Sequence, residues 1–330
     1  MQKALKSNYQ PINRSRLLSR AQPRQKEQVH FKRLLVAVDF SETSDKALDY
    51  ATNLASEFGA QILLLHVLES PTVFNSSNPA FADWDKEATR TAKSRLDQLA
   101  QGRIDEFIPV NSEVHIGRAY QIICETAQSE KCDLIVIGTH GFTGLKHILL
   151  GSTAEKVIRH APCSVLVVRE PKARKTQSTL SPRKILFPTD FSKPAERALT
   201  SATALAKQYE AELHVLYVVP IHYAVGDYDL MDYRILEADQ KAAGEKQLAS
   251  MKKTLLTKNL KATAGIRYGR PATEITESAK ELKADLIVMS THGRTGWERV
   301  LLGSTTEEVV RHASCPTLVV RSNPTNQRSS

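Results

Sequence analysis

Long apolar runs are missing from this sequence. No stretch of eighteen or more apolar residues occurs among its 330 positions, which excludes a membrane-spanning helix. Cysteine is scarce. Cys124, Cys132, Cys163 and Cys315 show neither metal-ligand spacing nor the density of a disulfide scaffold, so a reducing, cytoplasmic setting is expected. The first residues lack an apolar core followed by a small-residue cleavage site, so secretion is not expected. In a eukaryotic source, their Arg-rich, acid-poor character would fit an organelle transit segment.

The basic excess is not spread over the chain. Lys and Arg number 45 against 36 Asp and Glu, a net charge of +9. Residues 1–30 hold +6 of it, 170–182 hold +2 and 322–330 hold +1, while 31–169 and 183–321 offset each other at −3 and +3. A folded nucleic-acid face is therefore not expected; the basic ends read as solvated, disordered extensions. What remains is 41% apolar and 25% charged, the balance of a globular chain, with length for about two domains.

Glycine is also scarce, at 14 residues, yet seven fall in two windows, "GTHGFTGLKHILLGST" (138–153) and "STHGRTGWERVLLGST" (290–305). The windows belong to a duplication. Asp39 matches Asp190 at a step of 151, and Gly117, Asp133, Gly141, Gly151 and Cys163 match Gly269, Asp285, Gly293, Gly303 and Cys315 at 152. Two complete domains are expected, at 31–169 and 183–321, joined by the polar, Pro-bounded linker 170–182. A linker of that length reaches at most roughly 40 Å. The halves are expected to pack around a pseudo-twofold axis through their last strands, "SVLVVR" and "TLVVR", which would otherwise be exposed edges.

Within each half, short apolar runs alternate with helical stripes. "RLLVAVD" and "KILFPTD" suit strands buried on both faces, each followed by a serine, Ser41 or Ser192, placed to cap a helix. Long charged helices are expected over 80–101 and 233–255. Such alternation predicts an α/β fold with a doubly wound parallel sheet. Ligands bind such sheets at the carboxyl ends of strands where the winding reverses. The glycine windows follow "DLIVIG" and "DLIVMS", at that end.

A glycine-rich turn entering a helix presents free N–H groups and the positive end of the helix dipole, an anion site suited to phosphate. Ser152-x-x-Glu155 and Ser304-x-x-Glu307 fit a capping box and predict helices starting at those serines. The Walker loop is excluded, because no Gly-Lys pair exists, and the dinucleotide fingerprint lacks its Gly-x-Gly. "HIGR" at 115–118 resembles a nucleotidyl-transferase signature, but it follows the wrong strand and its counterpart reads "RYGR".

What remains is Gly138-x2-Gly141-x9-Gly151-Ser152. With "VAVDFSE", "LLLHVLES", "CDLIVIGTHG" and "APCSVLVV", it resembles the universal stress protein family, whose ATP-binding members carry Gly-x2-Gly-x9-Gly-Ser/Thr. The resemblance covers both halves. It implies a five-stranded parallel sheet between helices in each domain, and ATP, with or without Mg2+, as ligand. By the same resemblance, Asp39 and Asp190 hold the ribose, a diol suited to a carboxylate's two acceptors. Val67 and Val218 meet adenine through their backbone. The phosphates fall to Gly141, Gly151, Ser152 and Thr153, and to Gly293, Gly303, Ser304 and Thr305, with His140 and His292 beside them, while Gly138 and its counterpart Ser290 stand where the ribose nears the backbone. His66 reads instead as a satisfied strand-end histidine, and His160 and His312 as partners of a helix C-terminus.

The second copy departs at Ser290, where the motif has glycine. If that glycine uses a positive φ or a close approach, the serine weakens the second site by about 1 kcal/mol, with Arg294 opposing the loss. No nucleophile–base pair or metal cluster stands out. A nucleotide-binding stress or regulatory protein with at most slow hydrolysis is expected. The alternatives are a scaffold that dimerises without nucleotide, with further homo-oligomerisation open, and an adenine-nucleotide hydrolase, which lacks its Ser-Gly-Gly-x-Asp-Ser loop here.

Overall fold

The computed structural model describes residues 31–69, 79–139, 150–169, 181–221, 230–293 and 302–321, without the side chains of 79–83 and 230–240. The extensions expected at 1–30 and 322–330, and most of the linker, lie outside the described residues. The first half runs β1 (Arg33–Ala37), α1 (Glu42–Phe58), β2 (Gln61–Leu68), α2 (Pro79–Arg103), β3 (Val110–Ile116), α3 (Ala119–Ser129), β4 (Leu134–Gly138), α4 (Ser152–His160) and β5 (Ser164–Val168). The second runs β6 (Lys184–Thr189), α5 (Lys193–Tyr209), β7 (Glu212–Pro220), α6 (Leu230–Thr257), β8 (Ala262–Gly269), α7 (Pro271–Leu282), β9 (Leu286–Ser290), α8 (Ser304–His312) and β10 (Thr317–Val320).

The central strands are apolar throughout because both faces are covered. Leu34, Leu35 and Val36 of β1 are fully buried, as are Ile185, Leu186 and Phe187 of β6. The helices start where their caps permit. The Ser41 hydroxyl accepts from the Ser44 N–H and that of Ser192 from the Ala195 N–H, as their positions predict. Gly59 ends α1 in the left-handed region, at φ 66°.

The strands form one sheet in the order β3-β2-β1-β4-β5-β10-β9-β6-β7-β8. Among the described residues, pairing is parallel within each half and antiparallel only where β5 meets β10, with Val165 opposite Val319 and Leu166 opposite Leu318. Winding reverses between β1 and β4, and again between β6 and β9, so each half has one switch point at the carboxyl ends of those strands. Pro188 leaves a mark there. Pairing of β6 with β9 stops at Leu186, two residues before a proline that has no N–H to donate.

The largest core cluster runs through both halves, from Leu34 and Val136 to Leu286 and Leu318. All four cysteines are reduced. Burial pushes the thiols of Cys132, Cys163 and Cys315 up to about 12 and that of Cys124 up to about 11. A thiol with a raised pKa stays protonated and does not attack electrophiles. Iodoacetamide at mildly alkaline pH is expected to leave all four unlabelled in the folded chain and to label all four in denaturant, as read by intact mass.

Candidate functional site

Two elements converge at each switch point: the turn after the first strand and the start of the helix that follows the glycine window. In the first half the turn is Asp39-Phe40-Ser41. Asp39 Oδ1 accepts from the Ser41 N–H (3.0 Å) and hydroxyl (2.5 Å), and the Ser41 hydroxyl lies 3.0 Å from that of Thr43. In the second half, Asp190 Oδ1 accepts from the Ser192 N–H at 3.1 Å. Each aspartate therefore shapes the turn with one oxygen, whatever the carboxylate holds besides.

Between aspartate and serine sits a phenylalanine in the left-handed region, Phe40 at φ 62° and Phe191 at φ 60°. A bulky residue there costs of order 1–2 kcal/mol, so something must hold it. The Phe40 ring packs on His66 at 4.6 Å and beneath the Arg95 guanidinium at 4.2 Å, and the Phe191 ring packs on Tyr217 at 4.9 Å. The pinned ring fixes the direction in which the preceding carboxylate leaves the strand. Sequence reading missed these residues. Their signal was the repeated Asp-Phe-Ser in both copies.

The base of each glycine window is closed by matching hydrogen bonds. The Gly151 N–H donates to the Thr139 carbonyl (2.7 Å), and the Gly303 N–H to that of Thr291 (2.9 Å). The Thr306 hydroxyl adds a bond to the Ser290 carbonyl at 3.0 Å. α4 and α8 begin at Ser152 and Ser304, as expected, but not through a capping box. The N-cap residues are Gly151 and Gly303, which have no side chain to cap with. The serines are thus the first helical residues, and Glu155 and Glu307 lie too far along to reach back. Instead they pair one turn on, Glu155 with Arg159 (3.3 Å) and Glu307 with Arg311 (3.0 Å). No N-cap side chain therefore takes the first-turn N–H groups of α4 and α8, in contrast to α1 and α5.

Close approach, not strain, explains Gly138, Gly293 and Gly303. Gly138 does not have a positive φ; a Cβ on it would stand 3.1 Å from the backbone of Thr43 in α1. The positive-φ reason for a weaker second site therefore falls away. Ser290 instead uses its hydroxyl within the loop, donating to the His292 carbonyl at 2.7 Å. A Cβ on Gly293 would meet Asp190 Oδ2 at 2.6 Å, so loop backbone and carboxylate are in contact. One on Gly303 would stand 3.2 Å from the Thr291 carbonyl.

Val67 and Val218 lie near the ends of β2 and β7, paired with His115 and Arg267 on the neighbouring strands. Ser152, Thr153, Ser304 and Thr305 form the first turns of α4 and α8. His140 and Gly141 lie outside the described residues. His292 Nδ1 is 2.9 Å from the Thr291 hydroxyl, and its Nε2 is buried without a partner among the described residues. Burial, aided by Arg321, lowers its pKa and favours the neutral ring.

His66 is satisfied at its strand end, with Nδ1 2.7 Å from the Val38 carbonyl, so that nitrogen carries the proton. His312 Nδ1 lies 2.9 Å from the Glu308 carbonyl near the end of α8, and His160 packs on Tyr120 at 5.9 Å. Burial lowers the pKa of His66 and of His214 below 6.5. The unfolded chain then takes up protons at a higher pH than the folded one. This contribution to stability is complete above about pH 6.5 and is lost as pH falls toward the folded pKa values. Calorimetric unfolding is expected to show a midpoint falling between pH 7 and pH 5, and His66→Gln is expected to reduce the slope.

A third arrangement, also missed from sequence, joins the halves. Beyond their own-helix pairs, Arg159 reaches Glu307 at 3.4 Å and Arg311 reaches Glu155 at 3.7 Å. The arginines after the last strands cap the opposite helix. Arg321 donates to the Arg159 carbonyl at 3.4 Å, and Arg169 to the carbonyls of Arg311 and Ala313. The signal was present, since each residue recurs in the other half at 152.

The family model described as "Universal stress protein family" matches residues 30–169 and again 182–321. A universal stress protein of Methanocaldococcus jannaschii is 40% identical over 139 residues, which cover 42% of this chain and 82% of that protein. One from Mycolicibacterium smegmatis is 27% identical over 295 residues, 87% of this chain and 96% of its own length. Among solved structures, a universal stress protein from Archaeoglobus fulgidus superposes with a TM-score of 0.66 at 23% identity, covering 90% of this chain and 98% of that one. This chain belongs to the universal stress protein family and carries two of its domains in tandem.

Proposed function

We propose that the chain binds ATP at both switch points and acts as a cytoplasmic nucleotide-binding regulator of the stress response, with hydrolysis slow and incidental. One observation carries this reading. At each switch point a glycine-headed helix without a side-chain cap starts beside the turn that bears an aspartate, and in the second half loop backbone and carboxylate touch. An anion acceptor and a diol acceptor side by side suit a nucleotide's phosphate and ribose.

In this reading Asp39 and Asp190 hold the ribose, and the backbones of Val67 and Val218 line the base. The helix starts at Gly151, Ser152 and Thr153 and at Gly303, Ser304 and Thr305 hold the phosphates, with Gly293 beside them, Gly138 allowing close approach and Ser290 bracing its loop through the His292 carbonyl. His140 and Gly141 complete the first site, and neutral His292 flanks the second as a hydrogen-bonding group, not as a charge. Domains at 31–169 and 183–321, a linker at 170–182 and basic extensions at either end complete the proposal.

The scaffold alternative is disfavoured by the β5–β10 joint, because each last strand already has its partner within the chain. Mass spectrometry of small molecules released from freshly purified protein tests the reading. Co-purified ATP or ADP is expected; an empty protein that also fails to take up added ATP would favour the scaffold.

A further inference from the structure

We infer that the two sites oppose each other's filling through a shared pair of arginines; this rests on the nucleotide reading above. Each glutamate uses both oxygens, one on its own helix and one across the joint. Glu155 contacts Arg159 at 3.3 Å and Arg311 at 3.7 Å, and Glu307 contacts Arg311 at 3.0 Å and Arg159 at 3.4 Å. All four side chains are between 27% and 31% exposed, partly shielded from solvent screening. The helices cannot readily slide out of this contact, because Arg321 and Arg169 tie the C-terminal ends of α4 and α8 to the opposite last strands.

The quartet lies close to both sites. Glu155 and Glu307 sit one turn beyond Gly151 and Gly303, about 6 Å along each helix axis. A polyphosphate at the start of α4 places negative charge near Glu155, and both arginines gain by shifting toward that end. Glu307 then keeps less of their charge, and the start of α8 becomes more negative. The second polyphosphate binds against that field. The quartet is symmetric between the halves, and linkage requires the effect to be reciprocal. An expected coupling of about fivefold stands at the low end of the usual range for communicating sites.

The test uses calorimetric titration of the full chain with ATP. Gly303→Val and Gly151→Val, each placing a branched side chain in one loop, give the affinity of each site alone. The native chain is expected to bind its second ATP about fivefold more weakly than the weaker of these single sites. In a Glu155→Gln, Glu307→Gln background, which keeps side-chain size but removes the charges being shared, the same three titrations should add without coupling. Arg159→Met, Arg311→Met provides the same comparison if the glutamine pair folds poorly. A native isotherm equal to the sum of the single sites overturns the coupling, as does a positive coupling or one that survives in the glutamine and methionine backgrounds. If no chain binds ATP, the nucleotide reading itself fails, an outcome distinct from two independent sites.

Discussion

Replacing Asp190 by asparagine is expected to weaken ATP binding at the second site by about ten- to a hundredfold while leaving the fold intact. The amide oxygen can still accept from the Ser192 N–H, the bond that Asp190 makes at 3.1 Å. Only the second acceptor, the one set against Gly293, becomes a donor, which cannot accept from a ribose hydroxyl. A hydrogen bond to a charged acceptor contributes about 1.5–3 kcal/mol, which is the stated range in affinity. Asp39→Asn should act alike at the first site. Both variants should unfold within a degree or two of the native midpoint. A purely structural aspartate would show the reverse pattern, a lowered midpoint with unchanged affinity.

The second large effect lies at the joint. Leu166 and Leu318 face one another across the antiparallel β5–β10 pair and are 1% and 3% exposed. Leu166→Ala removes buried methyl groups at a place where neither strand can collapse, being held by β4 on one side and β9 on the other. Such truncations cost about 2–5 kcal/mol, a drop of about three to seven degrees in the unfolding midpoint for a chain of this size. Leu256, half exposed on α6, provides the control, and its change to alanine should stay within about 0.5 kcal/mol. Equal small effects at the two positions would show that the halves do not depend on this joint.

Much of this architecture was legible in the sequence because it rests on local patterns stated twice. The apolar runs, Ser41 and Ser192 as caps, and the glycine windows after β4 and β9 all follow from spacing. The capping-box reading of Ser152 and Ser304 failed for a physical reason. Ser-x-x-Glu satisfies that motif only when the serine lies outside the helix, and here Gly151 and Gly303 take that place. The arginine–glutamate quartet and the capping by Arg169 and Arg321 depend on how two helices meet across a joint between residues 142 to 162 apart in the chain, which no local pattern encodes. The left-handed Phe40 and Phe191 were hidden because propensity argues against them; tertiary packing on His66, Arg95 and Tyr217 overrides it.

In the proposed reading, the duplication preserves two nucleotide sites, one at each switch point. The most direct measurement is the stoichiometry of ATP binding to the full chain by calorimetry, repeated on Asp39→Asn, Asp190→Asn and their combination. Two ATP per chain are expected for the native protein, one with native affinity for each single variant, and for the pair only sites weakened about ten- to a hundredfold. Binding of two ATP by the double variant with the affinity of the native chain, or no saturable binding by the native chain, would contradict the account.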